Sequence, residues 1–326
     1  MNIKVDLALV LLAFVVAFVM GLMIIPLLRR LKAGQNILKY VEMHAAKSGT
    51  PTMGGLIFII PICGLALIFV GWDTPLALIM LVGSFGYGLV GFLDDFLKIK
   101  TGQNLGLKPY QKIIGQFGIA LIVAYFYMRS NPTGEIWVPF FNGFWHLGGL
   151  GIFALTLLIL LATTNAVNLT DGLDGLAGTT SLIYLVFIYV LMVLTDIGDE
   201  SNTIGSVIAL SIGSLLAYLL FNTKQASVFM GDTGSLYLGG LIAMASLFSG
   251  LGFVLLFLGI MFVWSAMSTI LQVFWFKISK GKRIFRMAPF HHHLEKGGMQ
   301  EPKIVAVYSV ITIVMGVILV LSVMYV

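Results

Sequence analysis

The chain has 326 residues, 59% of them hydrophobic and only 10% charged, with a net charge of +5. A soluble α-domain would carry polar stripes at helical period. Here, runs of about 20 residues, the length that crosses a bilayer as a helix, are apolar on every face. No segment between them is long enough for a nucleic-acid docking module, and the single cysteine, Cys63, rules out an intrachain disulfide.

Ten spans are predicted in chain order: 7–28, 52–70, 76–93, 113–129, 150–167, 176–195, 203–221, 235–249, 252–276 and 304–325. The first follows Lys4 and Asp6, lacks a small-residue cleavage site and ends at Pro26, Arg29 and Arg30, so it reads as a retained helix. Cys63 lies inside the second span and reads as packing. The longest outer connection, 130–149, carries Trp137, Phe140, Phe141, Phe144, Trp145 and His146 and reads as an aromatic interfacial segment or hairpin. Only Ser249–Gly252 separates the eighth and ninth spans. With no linker, low-complexity tract or internal repeat, residues 1–326 read as one integral domain.

Charge sets the expected orientation. With ten spans, the loops on one side hold every lysine and arginine except Lys4 and Arg129. The positive-inside rule makes these loops cytoplasmic and puts both termini outside. The bland reading of most of these cations is topogenic and lipid-facing charge. The expected class is therefore an all-α integral membrane protein of about ten helices. Its unusual residues lie on the cytoplasmic loops and helix ends.

Five carboxylates, Asp94, Asp95, Asp171, Asp174 and Asp232, stand at the cytoplasmic ends of apolar spans. Ionisable groups at membrane depth are costly and usually functional. Asp94 and Asp95 close the third span, at the unfavourable pole of a helix dipole, so a partner such as Lys98 at i+4, a cation or a shared proton must offset them. Asn165, Asn168, Asp171 and Asp174 recur every three residues, which on a helix or 3₁₀ turn makes one polar ridge able to read a sugar or base or to hold a metal. Gly172 and Gly175 permit close approach there. Asp232, between Gly231 and Gly234 and preceded by Asn222 and Phe229, reads either as an N-cap or as part of a phosphate–metal site. His291, His292 and His293 cannot all face one tetrahedral zinc; phosphate binding or proton handling suits them better. Thr50–Pro51–Thr52 makes a helix entry, with Lys47 before it placed to bind phosphate.

Five stretches together resemble the polyprenyl-phosphate N-acetylhexosamine-1-phosphate transferase superfamily, and within it the phospho-N-acetylmuramoyl-pentapeptide transferases. They are Lys47–Gly55 (KSGTPTMGG), Leu93–Asp95 (LDD), Asn165–Ala177 (NAVNLTDGLDGLA), Phe229–Ser235 (FMGDTGS) and Pro289–Glu295 (PFHHHLE). The first and last are the specific ones; the middle three are shared with relatives that transfer N-acetylglucosamine phosphate. The resemblance implies a ten-helix, Mg²⁺-dependent enzyme of the bacterial plasma membrane, with a cytoplasmic active site. It would move phospho-MurNAc-pentapeptide from UDP-MurNAc-pentapeptide to undecaprenyl phosphate, giving lipid I and UMP. It implies Asp94, Asp95 and Asp232 as the essential acids. Asp232 is the foremost Mg²⁺ ligand, with Asp94, Asp95 and Asp171 as further candidates. The implied substrate-binding set is Lys47, Thr52, Lys98, Lys112, Asn168, Asp171, Asp174, Asn222, Phe229, Gly231, His291, His292 and His293. A homodimer is the family-based expectation. Direct attack by the lipid phosphate, oriented by Asp94, and an Asp-linked phospho-enzyme remain alternatives. Two rival functions stand beside this one. One is a sister transferase using UDP-N-acetylglucosamine, and the other is an ion-coupled transporter, whose acids should lie near the midplane with repeat symmetry.

Overall fold

The computed structural model describes residues 2–31, 49–70, 74–102, 106–141, 143–195, 197 and 200–325. The order is α1 (Ile3–Arg30), α2 (Leu56–Phe69), α3 (Pro75–Thr101), α4 (Pro109–Ser130), β1 (Glu135–Val138), β2 (Gly143–His146), α5 (Gly148–Thr170) and α6 (Leu176–Thr195). Then follow α7 (Ser201–Asn222), α8 (Gly231–Phe248), α9 (Val254–Leu258), α10 (Ile260–Ile278), α11 (Phe290–Glu295) and α12 (Glu301–Met324). Among the described residues, eight helices are long and apolar enough to cross a membrane: α1, α3–α7, α10 and α12. The protein is an all-α integral membrane protein.

The two other expected spans depart from simple membrane crossings. Helix α2 has 14 residues. At about 1.5 Å per residue it reaches roughly 21 Å, less than the ~30 Å hydrocarbon layer. It starts at Leu56 rather than 52 because residues 51–55 are drawn into backbone hydrogen bonds with the segment before α8. Phe229 N donates to Pro51 O (2.8 Å), Gly54 N to Phe229 O (2.8 Å) and Gly55 N to Met230 O (3.0 Å). Helix α8 has every residue from Thr233 to Phe248 buried. Packed against α2, α3, α5, α6 and α7, it is solvated by protein rather than lipid, which is why its sequence can hold Ser, Thr and Gly.

Close approach to α8 fixes the frame of the site. On α3, Ser84, Tyr87, Gly88, Gly91, Asp94 and Asp95 are buried at three- and four-residue spacing, one stripe of the helix. A Cβ at Gly91 would lie 2.0 Å from the Asp232 carbonyl oxygen, and one at Gly240 would lie 2.5 Å from the Tyr87 ring. Small residues let α3 and α8 meet at backbone distance exactly where the acids follow.

Helix α3 also runs on to Thr101, past the expected end at 93. It stops at Gly102, whose φ of 63° closes the helix in a left-handed turn. Asp94 and Asp95 therefore sit nearly two turns inside the helix. The dipole penalty fades within the last turn, where Lys98 and Lys100 now stand, so specific partners must account for these acids. The expected ninth span is broken in two at Gly259. Gly259 N donates to Leu255 O (2.9 Å), and a Cβ there would lie 2.5 Å from that oxygen. Glycine thus permits the kink.

At the opposite end of the bundle, the aromatic connection is a hairpin, with Glu135 paired to His146 and Val138 to Gly143. Trp137 N donates to Gly250 O (3.1 Å), docking it on the α8–α9 turn. Asp6 accepts from Tyr189 and Ser206 (both 2.7 Å), tying α1 to α6 and α7. Glu200 accepts from Leu76 N (3.0 Å) and Ala77 N (3.1 Å), capping α3 from outside its own chain segment.

The α3–α8 approach predicts that Gly91→Ala lowers the unfolding temperature of the detergent-solubilised protein, at a cost of about 1–3 kcal/mol for forcing backbones apart. Gly64→Ala is the matched control, since its Cβ meets nothing within 4 Å; that variant is expected to keep or slightly raise the temperature.

Candidate active site

Three acids converge where α3 meets the start of α8. Asp94, Asp95 and Asp232 each offer an oxygen within 4.8 Å of the others. Asp95 is buried, and its Oδ2 accepts from both Thr233 N (3.0 Å) and Thr233 Oγ1 (2.7 Å). It thereby caps α8 from α3, satisfying one of the four amides that a helix start leaves open. Asp232 does not act as the N-cap. That position is Met230, and no side chain of its own turn caps the helix.

The Asp232 carboxylate is held between three elements instead. Its Oδ2 accepts from Lys98 Nζ of α3 (3.0 Å) and Lys112 Nζ of α4 (2.7 Å). Its Oδ1 accepts from Asn168 Nδ2 of α5 (2.6 Å), and that amide also reaches Ser235 Oγ (2.8 Å). Asp94 Oδ2 pairs with Lys98 (2.5 Å) and lies 3.8 Å from Lys112, and its Oδ1 accepts from Leu107 N (2.8 Å). Three carboxylates thus face two ammonium groups, leaving excess negative charge on a set of hard oxygen donors. That donor chemistry fits a small divalent cation of the Mg²⁺ class.

The ridge expected over 165–174 divides among four tasks. Asn165 Nδ2 turns to Gln116 Oε1 of α4 (2.7 Å) and Leu161 O (2.8 Å). Asn168 turns to Asp232. Asp171 is the C-cap of α5, beyond the helix proper. Burial first, then the charges of Asp232, Asp95 and Asp174, push its carboxyl up to about 8. Asp174 is buried and accepts from Ala226 N (3.2 Å). Asn222 uses both ends of its amide on backbone, accepting from Gly175 N (3.1 Å) and donating to Val228 O (2.9 Å). Asp174 and Asn222 therefore fasten the 171–175 turn to the 223–228 loop.

The remaining expected residues frame this centre. Thr52 is buried, and a Cβ at Gly231 would meet its Oγ1 at 2.6 Å and Asp95 Oδ2 at 2.4 Å. Gly231, with φ of 73°, is thus required both for its turn and for room. Phe229 is half-buried and contributes its backbone to the 51–54 pairing. On α11 the three histidines take different surroundings. His291 is buried with Nε2 against Gly172, where a Cβ would sit 2.3 Å away. His292 Nδ1 pairs with Glu295 Oε2 (2.9 Å). His293 Nδ1 accepts from Arg286 N (3.1 Å), and its ring stacks on Phe290. Lys47 lies outside the described residues. Thr233, Ser235 and Gln116 were not singled out from sequence. The first two lie inside the FMGDTGS stretch and were masked by Asp232, while Gln116 lies in an otherwise ordinary apolar helix.

Comparison with known proteins bears on this same region. The profile of glycosyl transferase family 4 matches residues 77–250, which include Asp94, Asp95, Lys98, Lys112, Asn168 and Asp232. The phospho-N-acetylmuramoyl-pentapeptide-transferase signature 1 matches residues 47–59. A phospho-N-acetylmuramoyl-pentapeptide-transferase of Caldanaerobacter subterraneus subsp. tengcongensis is 44% identical over 305 residues, 93% of this chain and 94% of the relative. The chain belongs to the phospho-N-acetylmuramoyl-pentapeptide-transferase family. Relatives of the same name from Clostridium perfringens (46% over 309 residues, 94% of each chain) and Heliobacterium modesticaldum (42% over 322 residues, 96% of this chain and 98% of the relative) agree. With eight helices among the described residues long and apolar enough to span, this family member is a multi-pass protein of the bacterial plasma membrane.

Asp171 gives a pH signature. Its ordinary value is 3.8 and its folded value about 8. Between the two, the folded protein holds a proton that the unfolded chain has lost, so stability falls as pH rises through that window. Without added divalent cation, infrared difference spectra are expected to show a protonated carboxyl that titrates near 8. In Asp171→Asn the band titrating near 8 should be absent, and the fall in stability on approaching that pH should be shallower.

Proposed function

We propose that this chain transfers phospho-MurNAc-pentapeptide from UDP-MurNAc-pentapeptide to undecaprenyl phosphate, yielding lipid I and UMP on the cytoplasmic side. The observation that carries the reading is the Asp232 carboxylate, gripped by Lys98, Lys112 and Asn168 beside Asp94 and Asp95. Two phosphate substrates repel each other, so the site must supply positive charge where they meet.

Asp232, with Asp94 and Asp95, is the set that would hold Mg²⁺. Bound there, the ion would offset the diphosphate charge and ease departure of UMP. Lys98 and Lys112, which both donate to Asp232 Oδ2, are placed to turn their ammonium groups to the phosphates on substrate entry. Asp94 takes the proton of the lipid phosphate and orients its oxygen. That oxygen forms a bond to the sugar-bearing phosphorus, the bond from this phosphorus to the bridging oxygen breaks, and UMP leaves with the electron pair. Asp95 keeps α8 in register with α3 while this happens. Asn168 and Asp171 face the same centre and are assigned to the nucleotide sugar. His291, beside the Asp171 turn, is assigned to phosphate. Lys47, outside the described residues, is assigned to phosphate from its motif alone, and Thr52 and Gly231 shape the floor.

The test uses the purified, detergent-solubilised protein with UDP-MurNAc-pentapeptide, a polyprenyl phosphate and Mg²⁺, following UMP. Release is expected to require both substrates and to stop on chelation. Asp232→Asn is expected to lose at least 10²-fold, the scale of removing one charge-stabilising group from a reacting centre. UMP from UDP-N-acetylglucosamine alone would move the protein to the sister activity, and no release from either nucleotide sugar would sink the transferase reading.

A further inference from the structure

The geometry points to Gln116 as a positioning residue that sets Lys112 and Asn168 on the two oxygens of Asp232. This rests on the transferase reading above. Gln116 is fully buried on α4, and its Oε1 accepts from Asn165 Nδ2 (2.7 Å) and Thr164 Oγ1 (3.4 Å) of α5. Two of the three side-chain partners of Asp232 lie one turn away from this clasp. Lys112 precedes Gln116 by four residues and reaches Asp232 Oδ2; Asn168 follows Asn165 by three and reaches Oδ1. Residues spaced by three or four share a helix face, so the clasp and the two contacts lie along one seam between α4 and α5.

The rest of α4 leaves that seam little other support. Its buried residues are Gln116, Ala120, Val123, Ala124 and Tyr127. From Pro109 to Gly115 none is buried, so Gln116 is the first buried residue of the helix and the last before Lys112. The turn carrying Lys112 is therefore held between Gln116 on one side and the Leu107 N–Asp94 Oδ1 bond (2.8 Å) on the other. If the clasp is released, that turn keeps only its Leu107 anchor, and the ammonium shifts with it. Only the acceptor end of the amide is engaged; Nε2 has no hydrogen-bond partner among the described residues. Asn165 keeps Leu161 O for one of its two amide N–H groups (2.8 Å), so an apolar side chain at 116 frees a single N–H of a half-buried amide and no charge.

The experiment is a double-mutant cycle in the full-length purified enzyme, reading kcat, both KM values and the unfolding temperature. Gln116→Met keeps length and volume. It is expected to lower kcat about tenfold, the scale of a sub-ångström misplacement at a reacting centre, with both KM values unchanged. Lys112→Arg keeps the cation but shifts its position, and adding Gln116→Met to it is expected to cost less than about threefold more, because coupled residues are not additive. A structural role alone would multiply the two losses and lower the unfolding temperature in step. Multiplying losses, a rise in KM in place of the kcat loss, or a Gln116→Met enzyme with unaltered kcat would overturn the assignment. Should Gln116→Met fail to fold, Asn165→Leu breaks the same bond from α5 and is read by the same criteria. An inactive parent enzyme would count against the transferase reading, whereas an active parent indifferent to Gln116 counts only against the positioning role.

Discussion

Burying a whole helix in the middle of a membrane protein creates an unmet demand at its start, and the structure is organised around meeting it. Helix α8 is closed off from lipid and water along almost its full length, so the open amides of its first turn must find acceptors within the protein. Asp95 supplies one from α3, taking both the amide and the hydroxyl of Thr233. That bond places a carboxylate beside Asp232 and Asp94. The charge it brings must in turn be offset, which is where Lys98 and Lys112 enter. Capping a buried helix and gathering the acids of a reaction centre are thus one arrangement.

The same economy explains the glycines and the extended segment before α2. Gly91 lets α3 approach the Asp232 carbonyl, and Gly231 makes room for Asp95 and Thr52. The strand-like pairing of 51–55 with 229–230 then holds the loop that ends in Asp232 from the opposite side. Asp232 is consequently fixed by backbone on one flank and by α3, α4 and α5 side chains on the other. A reaction that brings two phosphates together gains from such fixed dipoles and charges, because they need no rearrangement as charge develops.

Much of this was legible in the sequence, and the failures have physical reasons. Apolar run length gave the membrane class, and the motif residues pointed to the acids now seen together. Three spans depart from what run length implies: 52–70 is shortened by backbone pairing, 235–249 is enclosed by other helices, and 252–276 is divided by a kink at Gly259. The dipole reading of Asp94 and Asp95 assumed a helix end at 93, but nothing in an apolar window marks where a helix stops once it leaves the membrane. The polar ridge was read as one surface because its spacing is regular. Its members diverge because the helix ends at Thr170 and the chain turns. Gln116 carried no signal, since a lone glutamine on an apolar helix looks the same whether it faces lipid headgroups or a partner helix.

Helix α3 is fastened at both tips. Glu200 holds the amides of Leu76 and Ala77 at one end, and Asp95 grips α8 near the other. Its 27 residues make a rod of about 40 Å. A rod pinned in this way behaves as a strut. The helix that carries Asp94 to Asp232 is thus anchored partly by a glutamate that touches neither acid.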